Sequence, residues 1–154
     1  KPVAVAQEAD RVLDARNAFV TSSLLHEVAV SGTAASLQKL GRSDLAGKTG
    51  TSSDAVDGWF AGFGGPITAV AWMGYDEPQS LGGREFGATL ALPIWSDFMA
   101  LALKGKPVQQ MAPPTGVSQQ QGDWMYDEFQ GNAATRTIDL DLLDRLKEMF
   151  GSEP

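Results

Sequence analysis

The stretch Leu45-Ala46-Gly47-Lys48-Thr49-Gly50-Thr51 and the run Asp57-Gly58-Trp59-Phe60-Ala61-Gly62-Phe63 behind it decide the fold of this chain. We predict strands over residues 45–51 and 59–63, joined by a loop of small polar residues. A third strand is predicted over residues 67–75, because the turn signal Gly64-Gly65-Pro66 separates it from the second. Three consecutive strands with short connections indicate an antiparallel sheet.

The segments before and after these strands show the periodicity of helices. Residues 10–31 predict a helix capped by Asp10 or Asp14, and residues 34–40 predict a short helix that ends at Gly41. Residues 87–103 predict an amphipathic helix, kinked or started at Pro93, with an apolar stripe of Leu90, Ile94, Phe98 and Leu101. The predicted fold class is therefore α/β (α+β), an antiparallel sheet flanked by helices.

The composition changes after residue 105. Residues 107–122 contain two adjacent prolines and five glutamines, which predicts a linker or an extended surface segment. We expect Trp124, Tyr126 and Phe129 to pack on their own domain, and residues 141–150 to form a short terminal helix. The predicted organisation is a folded part at 1–105 and a linker and tail at 106–154.

Charge and composition exclude several classes of function. The 154 residues carry a net charge of −7, and their basic residues are scattered, so a nucleic-acid partner is not expected. With no cysteine and a lone histidine, His26, the chain predicts no disulfide, no metal site and no cofactor, and His26 is expected to be structural. The chain starts at Lys1 without an initiator Met, so we expect its true N-terminus to lie elsewhere. No apolar run approaches the ~20 residues that a membrane span needs.

The Lys48–Thr51 strand has side chains suited to binding a carboxylate. In a strand, Lys48 and Gly50 lie on one face while Thr49 and Thr51 lie on the other. A glycine inside a strand is unfavourable unless another element or a substrate approaches the backbone closely, which is expected at Gly50. A lysine charge, two hydroxyls and the free N–H groups of an edge strand suit recognition of a peptide carboxylate followed by acyl transfer.

Together with Trp72-Met73-Gly74-Tyr75-Asp76 and Pro93-Ile94-Trp95, the segment 41–63 resembles the transpeptidase domain of a class A penicillin-binding protein. Lys-Thr-Gly is one of the three motifs of serine penicillin-recognising enzymes. The resemblance covers roughly residues 15–104 and assigns 1–105 to the C-terminal part of that domain, with its penicillin-binding transpeptidase and serine β-lactamase-like fold. It implies a bifunctional cell-wall synthase that crosslinks peptidoglycan stem peptides and is acylated by β-lactams.

The same resemblance implies roles for individual residues. Lys48 would assist proton transfer near the nucleophile, and Thr49 and Thr51 would hydrogen-bond the carboxylate of the substrate or drug, beside Gly50. The backbone N–H of Thr51 would be one oxyanion-hole donor. The implied location is the periplasmic face of the inner membrane, with the anchor in upstream sequence.

The nucleophile motif of the family is not convincingly present. Ser36-Leu37-Gln38-Lys39 fits Ser-x-x-Lys, but Ser36 lies only twelve residues before Lys48, whereas the family's nucleophile opens a buried helix far upstream. We interpret Ser36 and Lys39 as surface residues. The nucleophile, its lysine and a Ser-x-Asn motif are then expected on an upstream segment of the same domain, carried as a separate chain after nicking of an exposed loop.

Other interpretations of these residues are weaker or stay open. A phosphate-binding loop needs four residues between its glycines, and five separate Gly41 from Gly47. Asp54 and Asp57 are expected to be solvated or to cap the loop rather than to act as an acid–base pair. Most of the strand aromatics should pack the sheet against helices: Trp59, Phe60, Phe63 and Trp72. A D,D-carboxypeptidase, a serine β-lactamase and a non-turnover sensor of β-lactam or peptide remain alternatives to the transpeptidase.

Overall fold

The structure is a computed structural model that describes residues 10–83 and 85–130. The chain divides between Pro114 and Thr115 into two units, which are described separately. In the first unit the elements follow one another as α1 (Ala15–Val30), a 3-10 helix (Ala35–Leu40), β1 (Ala46–Thr51), a 3-10 turn (Ser53–Ala55), β2 (Gly58–Gly64), β3 (Ile67–Met73) and α2 (Ala91–Ala102). No helix among the described residues has the length and apolarity needed to span a membrane.

The three strands form one antiparallel sheet in the order β1-β2-β3. Lys48 pairs with Ala61 and Gly50 pairs with Trp59 across the first ladder. Phe60 pairs with Ala71 across the second. The predicted antiparallel sheet flanked by helices is confirmed, with strand ends within two residues of the prediction.

One face of the sheet is covered by α2, and Phe60 lies at its centre. Phe60 is fully buried and meets Trp95 edge-on, with ring centroids 4.9 Å apart. The ring lies over two glycines, since a Cβ built on Gly47 or Gly62 would come within 2.8 Å of Phe60 ring carbons. Glycine is therefore required at both positions, because a side chain there would displace the aromatic core.

The opposite face of the sheet carries the other aromatic residues. Trp59 and Trp72 are 44% and 45% exposed, and their ring centroids are 6.0 Å apart. The Trp72 Nε1–H group donates a hydrogen bond of 2.8 Å to Asp57 Oδ1. The prediction that most strand aromatics pack against helices is therefore wrong for both tryptophans, because strand alternation directs them away from α2.

Helix α1 begins later than predicted, because its N-cap is Asp14 and not Asp10. The Asp14 carboxylate accepts hydrogen bonds from the backbone N–H groups of Arg16, at 2.9 Å, and Asn17, at 3.4 Å. The His26 Nδ1 atom lies 2.8 Å from the Leu45 carbonyl oxygen, one residue before β1. His26 thus has the structural role that was predicted, since it fastens α1 to the start of β1.

Helix α2 starts at Ala91, so Pro93 falls in its first turn, where the missing N–H group has no intrahelical partner to lose. The predicted core stripe is wrong: Ile94, Phe98 and Leu101 are exposed at 46%, 51% and 77%. The helix is apolar around most of its circumference, so periodicity did not identify the buried side. The buried residues are Ala91, Leu92, Trp95, Ser96 and Met99.

A buried ion pair holds the turn before β1. The Asp44 carboxylate is fully buried and accepts two hydrogen bonds from Arg42, at 2.9 and 2.7 Å. Its Oδ2 atom also accepts the backbone N–H groups of Gly65, at 3.1 Å, and Gln109, at 2.9 Å. The pair therefore ties the start of β1 to the β2–β3 turn and to the chain that follows α2.

The second unit contains a hairpin of two strands, β4 (Val117–Gln120) and β5 (Asp123–Tyr126), followed by a 3-10 turn at Asp127–Phe129. Gln121 and Gly122 connect the strands with φ of +52° and +101°, as a tight hairpin turn requires. The prediction of a linker or an extended segment over 107–122 did not include this hairpin, because the composition of the segment masked the turn. The Tyr126 and Phe129 rings stack at 5.9 Å. The helix predicted at 141–150 lies outside the described residues.

The Asp44 pair makes a pH-dependent contribution to stability. Burial raises the pKa of the Asp44 carboxyl, but hydrogen bonds from Arg42 and Gln109, with the Arg42 charge, outweigh it and leave the pKa below its ordinary value of 3.8. A carboxyl with a lowered pKa stabilises the folded state above its unfolded pKa. That stabilisation decreases as the pH falls through the folded pKa.

We therefore expect Asp44→Asn to lower the free energy of unfolding by about 3 kcal/mol at pH 7, because it leaves Arg42 without its counter-charge. The difference from wild type should shrink below about pH 4. Urea unfolding of the full-length protein at several pH values measures both effects. Ser43→Ala, which removes only an exposed hydrogen bond from Gln110, is the control. A destabilisation that stays constant from pH 7 to pH 3 contradicts this account.

Candidate functional site

The candidate site lies along β1, the edge strand of the sheet. Within residues 10–83 and 85–130, β2 is the one strand that pairs with β1, so the other edge of β1 has no strand beside it. Lys48, Thr49, Gly50 and Thr51 occupy the second half of β1 and range from half-buried to exposed. The strand therefore presents its charged and hydroxyl-bearing residues at an accessible edge.

Lys48 turns its ammonium group towards Thr49. The Lys48 Nζ atom donates to the Thr49 carbonyl oxygen at 3.0 Å and to Thr49 Oγ1 at 3.4 Å. Alternation along a strand predicts opposite faces for these two side chains, but the long lysine side chain reaches round the edge. The structure thus brings the predicted lysine and the first predicted hydroxyl together.

Thr33, which the sequence did not identify as a site residue, contacts Thr49. Its Oγ1 atom lies 2.9 Å from Thr49 Oγ1. Thr33 follows α1 in the turn Gly32-Thr33-Ala34, and the sequence placed it in the break between the helices predicted over 10–31 and 34–40. Its distance of sixteen residues from Thr49 concealed the contact.

Thr51 is held by a different part of the chain. Its Oγ1 atom accepts a hydrogen bond of 3.1 Å from the backbone N–H of Gly87, in the segment that leads into α2. The Thr51 oxygen keeps its own proton, because it acts as the acceptor in this bond. The hydroxyls of Thr49 and Thr51 are therefore each oriented by a neighbour outside the sheet.

Gly87 packs directly on the backbone of β1 and β2. A Cβ built on Gly87 would lie 2.3 Å from the Trp59 carbonyl oxygen and 2.5 Å from that of Gly50. The close backbone approach expected near Gly50 is thus made by Gly87. The sequence did not indicate Gly87 as a site residue, because Gly87 was simply the first residue of a predicted helix.

The remaining candidates lie apart from this group. Ser36 and Lys39 are exposed on the six-residue 3-10 helix, as expected for surface residues. Asp57 accepts from Trp72 Nε1, and its backbone N–H donates to Ser52 Oγ at 2.7 Å. Asp57 therefore orders the loop after β1, which agrees with a capping role.

Comparison with known proteins gives a consistent result, although no protein-family model matches the chain. It is 48% identical over 109 residues to penicillin-binding protein 1A of Pseudomonas aeruginosa, covering 71% of this chain and 13% of that protein. It is 40% identical over 128 residues to penicillin-binding protein 1A of Neisseria lactamica, covering 83% and 16%. The crystal structure of penicillin-binding protein 1A from Haemophilus influenzae matches with a TM-score of 0.69 and 29% identity, covering 77% of this chain and 21% of that one.

The identity and the shared fold show that the chain belongs to the class A penicillin-binding proteins, as the motif predicted. Within that family, the relatives it resembles are the proteins named penicillin-binding protein 1A. The chain spans only 13–16% of the length of these relatives.

The contact at Gly87 leads to a prediction about Thr51. Gly87→Ala should force the segment before α2 away from β1 and release the Thr51 hydroxyl, because the new methyl group meets backbone atoms that cannot yield. We expect acylation of the full-length protein by a fluorescent penicillin to slow at least about tenfold. Gly83→Ala is the control, since no described residue beyond its chain neighbours lies within 4 Å of a Cβ at Gly83. Equal acylation rates in the two variants would show that Gly87 does not position Thr51.

Proposed function

We propose that this chain forms one wall of the active site of a serine D,D-transpeptidase, which crosslinks peptidoglycan stem peptides and is acylated by β-lactams. The observation that carries the proposal is the edge of β1, where the Lys48 ammonium group lies 3.4 Å from the Thr49 hydroxyl. Membership of the class A penicillin-binding proteins supports it. An edge strand with these groups suits a peptide that ends in a carboxylate.

Each residue has a proposed role in this reaction. Thr49 and Thr51 donate hydrogen bonds to the carboxylate of the stem peptide or β-lactam. Gly50 has no side chain, so the substrate can approach the backbone of the strand closely. The positive charge of Lys48 favours that carboxylate and assists proton transfer at the nucleophile.

The backbone N–H of Thr51 is proposed to stabilise the oxyanion of the acyl-transfer intermediate. Within a strand, residues two apart direct their N–H and C=O groups to the same side. The Thr49 carbonyl oxygen is accessible to Lys48, which supports placing the Thr51 N–H group at the same unpaired edge. Loss of one oxyanion donor typically slows such reactions by ~10²–10³.

The nucleophilic serine is proposed to lie on an upstream segment of the same domain. The chain spans 13–16% of the length of its relatives, so most of their length lies outside the matched part. Ser36 is exposed on a short 3-10 helix, which lacks the buried setting expected of a nucleophile. The full protein is further proposed to be a bifunctional synthase with a glycosyltransferase part, anchored in the inner membrane with this site in the periplasm.

The proposal is tested by labelling the full-length protein with a fluorescent penicillin. Lys48→Met should slow acylation by at least about 10²-fold, because it removes the charge beside the carboxylate and the reacting serine. Lys39→Met and Ser36→Ala are matched controls at exposed positions and should acylate at the wild-type rate.

Five outcomes decide between this function and its alternatives. Label on Ser36, or acylation that Lys48→Met leaves unchanged, contradicts the proposed site. Rapid hydrolysis of the penicilloyl adduct indicates a β-lactamase, and release of free D-alanine without crosslinking indicates a carboxypeptidase. A protein that acylates with a stem-peptide analogue and then stalls is a sensor.

A further inference from the structure

Thr33 stands next to the proposed carboxylate-binding hydroxyl without being part of β1. We propose that Thr33 is a positioning residue that directs the proton of the Thr49 hydroxyl towards the carboxylate of the substrate or β-lactam. This inference rests on the proposed function, because it assigns a role within the same site. Its basis is the 2.9 Å separation of the two threonine oxygens.

The hydrogen-bond donor and acceptor positions of the Thr49 hydroxyl explain how Thr33 acts. A threonine hydroxyl has one proton to donate and two lone pairs that accept. Lys48 Nζ donates to Thr49 Oγ1 at 3.4 Å and occupies one lone pair. If Thr33 donates to the other, both acceptor positions are filled, and the Thr49 proton is left for a third group. A carboxylate can only accept, so it is the partner that this arrangement selects.

The opposite orientation does not serve carboxylate binding. If Thr49 donated its proton to Thr33, the Thr49 oxygen would face an incoming carboxylate with lone pairs only, which repels the anion. The arrival of an anion therefore favours the chain Thr33 to Thr49 to carboxylate. In such a chain each hydrogen bond polarises and strengthens the next.

The fold holds Thr33 in place, so its contact with Thr49 does not depend on a loose loop. Ala34, the next residue, is fully buried, and its N–H donates to the Val28 carbonyl oxygen at 3.1 Å. A Cβ on Gly32 would lie 2.8 Å from Val28 Cα, so the turn is tightly closed on the end of α1. The His26 contact with Leu45 then fixes α1 against the start of β1.

The test uses full-length protein and two forms of one penicillin, the free carboxylate and its methyl ester. Thr33→Val keeps the shape of the side chain and removes its hydroxyl. We expect it to slow acylation by the carboxylate about three- to tenfold, as for one lost hydrogen bond, while acylation by the ester changes less than twofold. Thr33→Ser keeps the hydroxyl and should restore most of the rate with the carboxylate.

Two further variants separate positioning from general damage. Thr21→Val makes the same change at an exposed position of α1, where the hydroxyl donates to Asn17 Oδ1 of its own helix, and should leave both rates unchanged. In a Thr49→Val background, Thr33→Val should have no additional effect, since Thr33 acts through Thr49.

The other possible results of these experiments each contradict one part of the inference or of the proposed function. Equal slowing with carboxylate and ester means that Thr33 is only structural, and an additional loss in the Thr49→Val background means that it does not act through Thr49. Either result overturns the inference and leaves the transpeptidase proposal intact. Wild-type protein that is not acylated at all overturns the proposed function itself.

Discussion

The edge-to-face contact between Phe60 and Trp95 is the interaction on which the described fold depends. Gly47 and Gly62 leave the surface of β1 and β2 open, so the Phe60 ring lies over these two glycines and contacts Trp95 of α2. Trp95 also donates through Nε1 to the Ala69 carbonyl oxygen at 3.0 Å, which joins α2 to β3. One helix side chain thereby fixes the helix to the middle and the far strand of the sheet. The position of α2 sets that of Gly87, and through it the Thr51 hydroxyl.

The strands could be predicted because their signals are local. Gly64-Gly65-Pro66 marks the β2–β3 turn, and Gly41, at φ +62°, ends the 3-10 helix before β1. The buried face of α2 could not be predicted, because Leu92 and Trp95 on one side are no more apolar than Ile94 and Phe98 on the other. Hydrophobic periodicity identifies a face only when the opposite face is polar. The hairpin at 117–126 was missed because its first strand, Val117–Gln120, is mostly polar and its turn begins with a glutamine.

The residues of the candidate site also divide into those that a local sequence signal identified and those that only tertiary packing brings together. The Lys48–Thr51 motif is contiguous, so its residues were found from the sequence alone. Thr33 and Gly87 lie sixteen positions before Thr49 and thirty-six after Thr51, and each acts through one hydrogen bond that tertiary packing creates. A threonine after a helix and a glycine before one have ordinary local explanations. Only the fold shows that both lie within hydrogen-bonding distance of the threonines of the motif.

An exposed strand edge is normally a hazard, because its free N–H and C=O groups can pair with another chain. Natural sheets often protect such an edge with a lysine, and Lys48 satisfies the Thr49 carbonyl oxygen in this way. The same residue is the charge proposed to attract a carboxylate, so protection and recognition are achieved by one side chain. A peptide that ends in a carboxylate offers Lys48 a negatively charged acceptor, whereas an uncharged strand offers it only neutral carbonyl oxygens. Under the proposed function, selectivity for an anionic peptide end would therefore come from the same side chain that protects the edge.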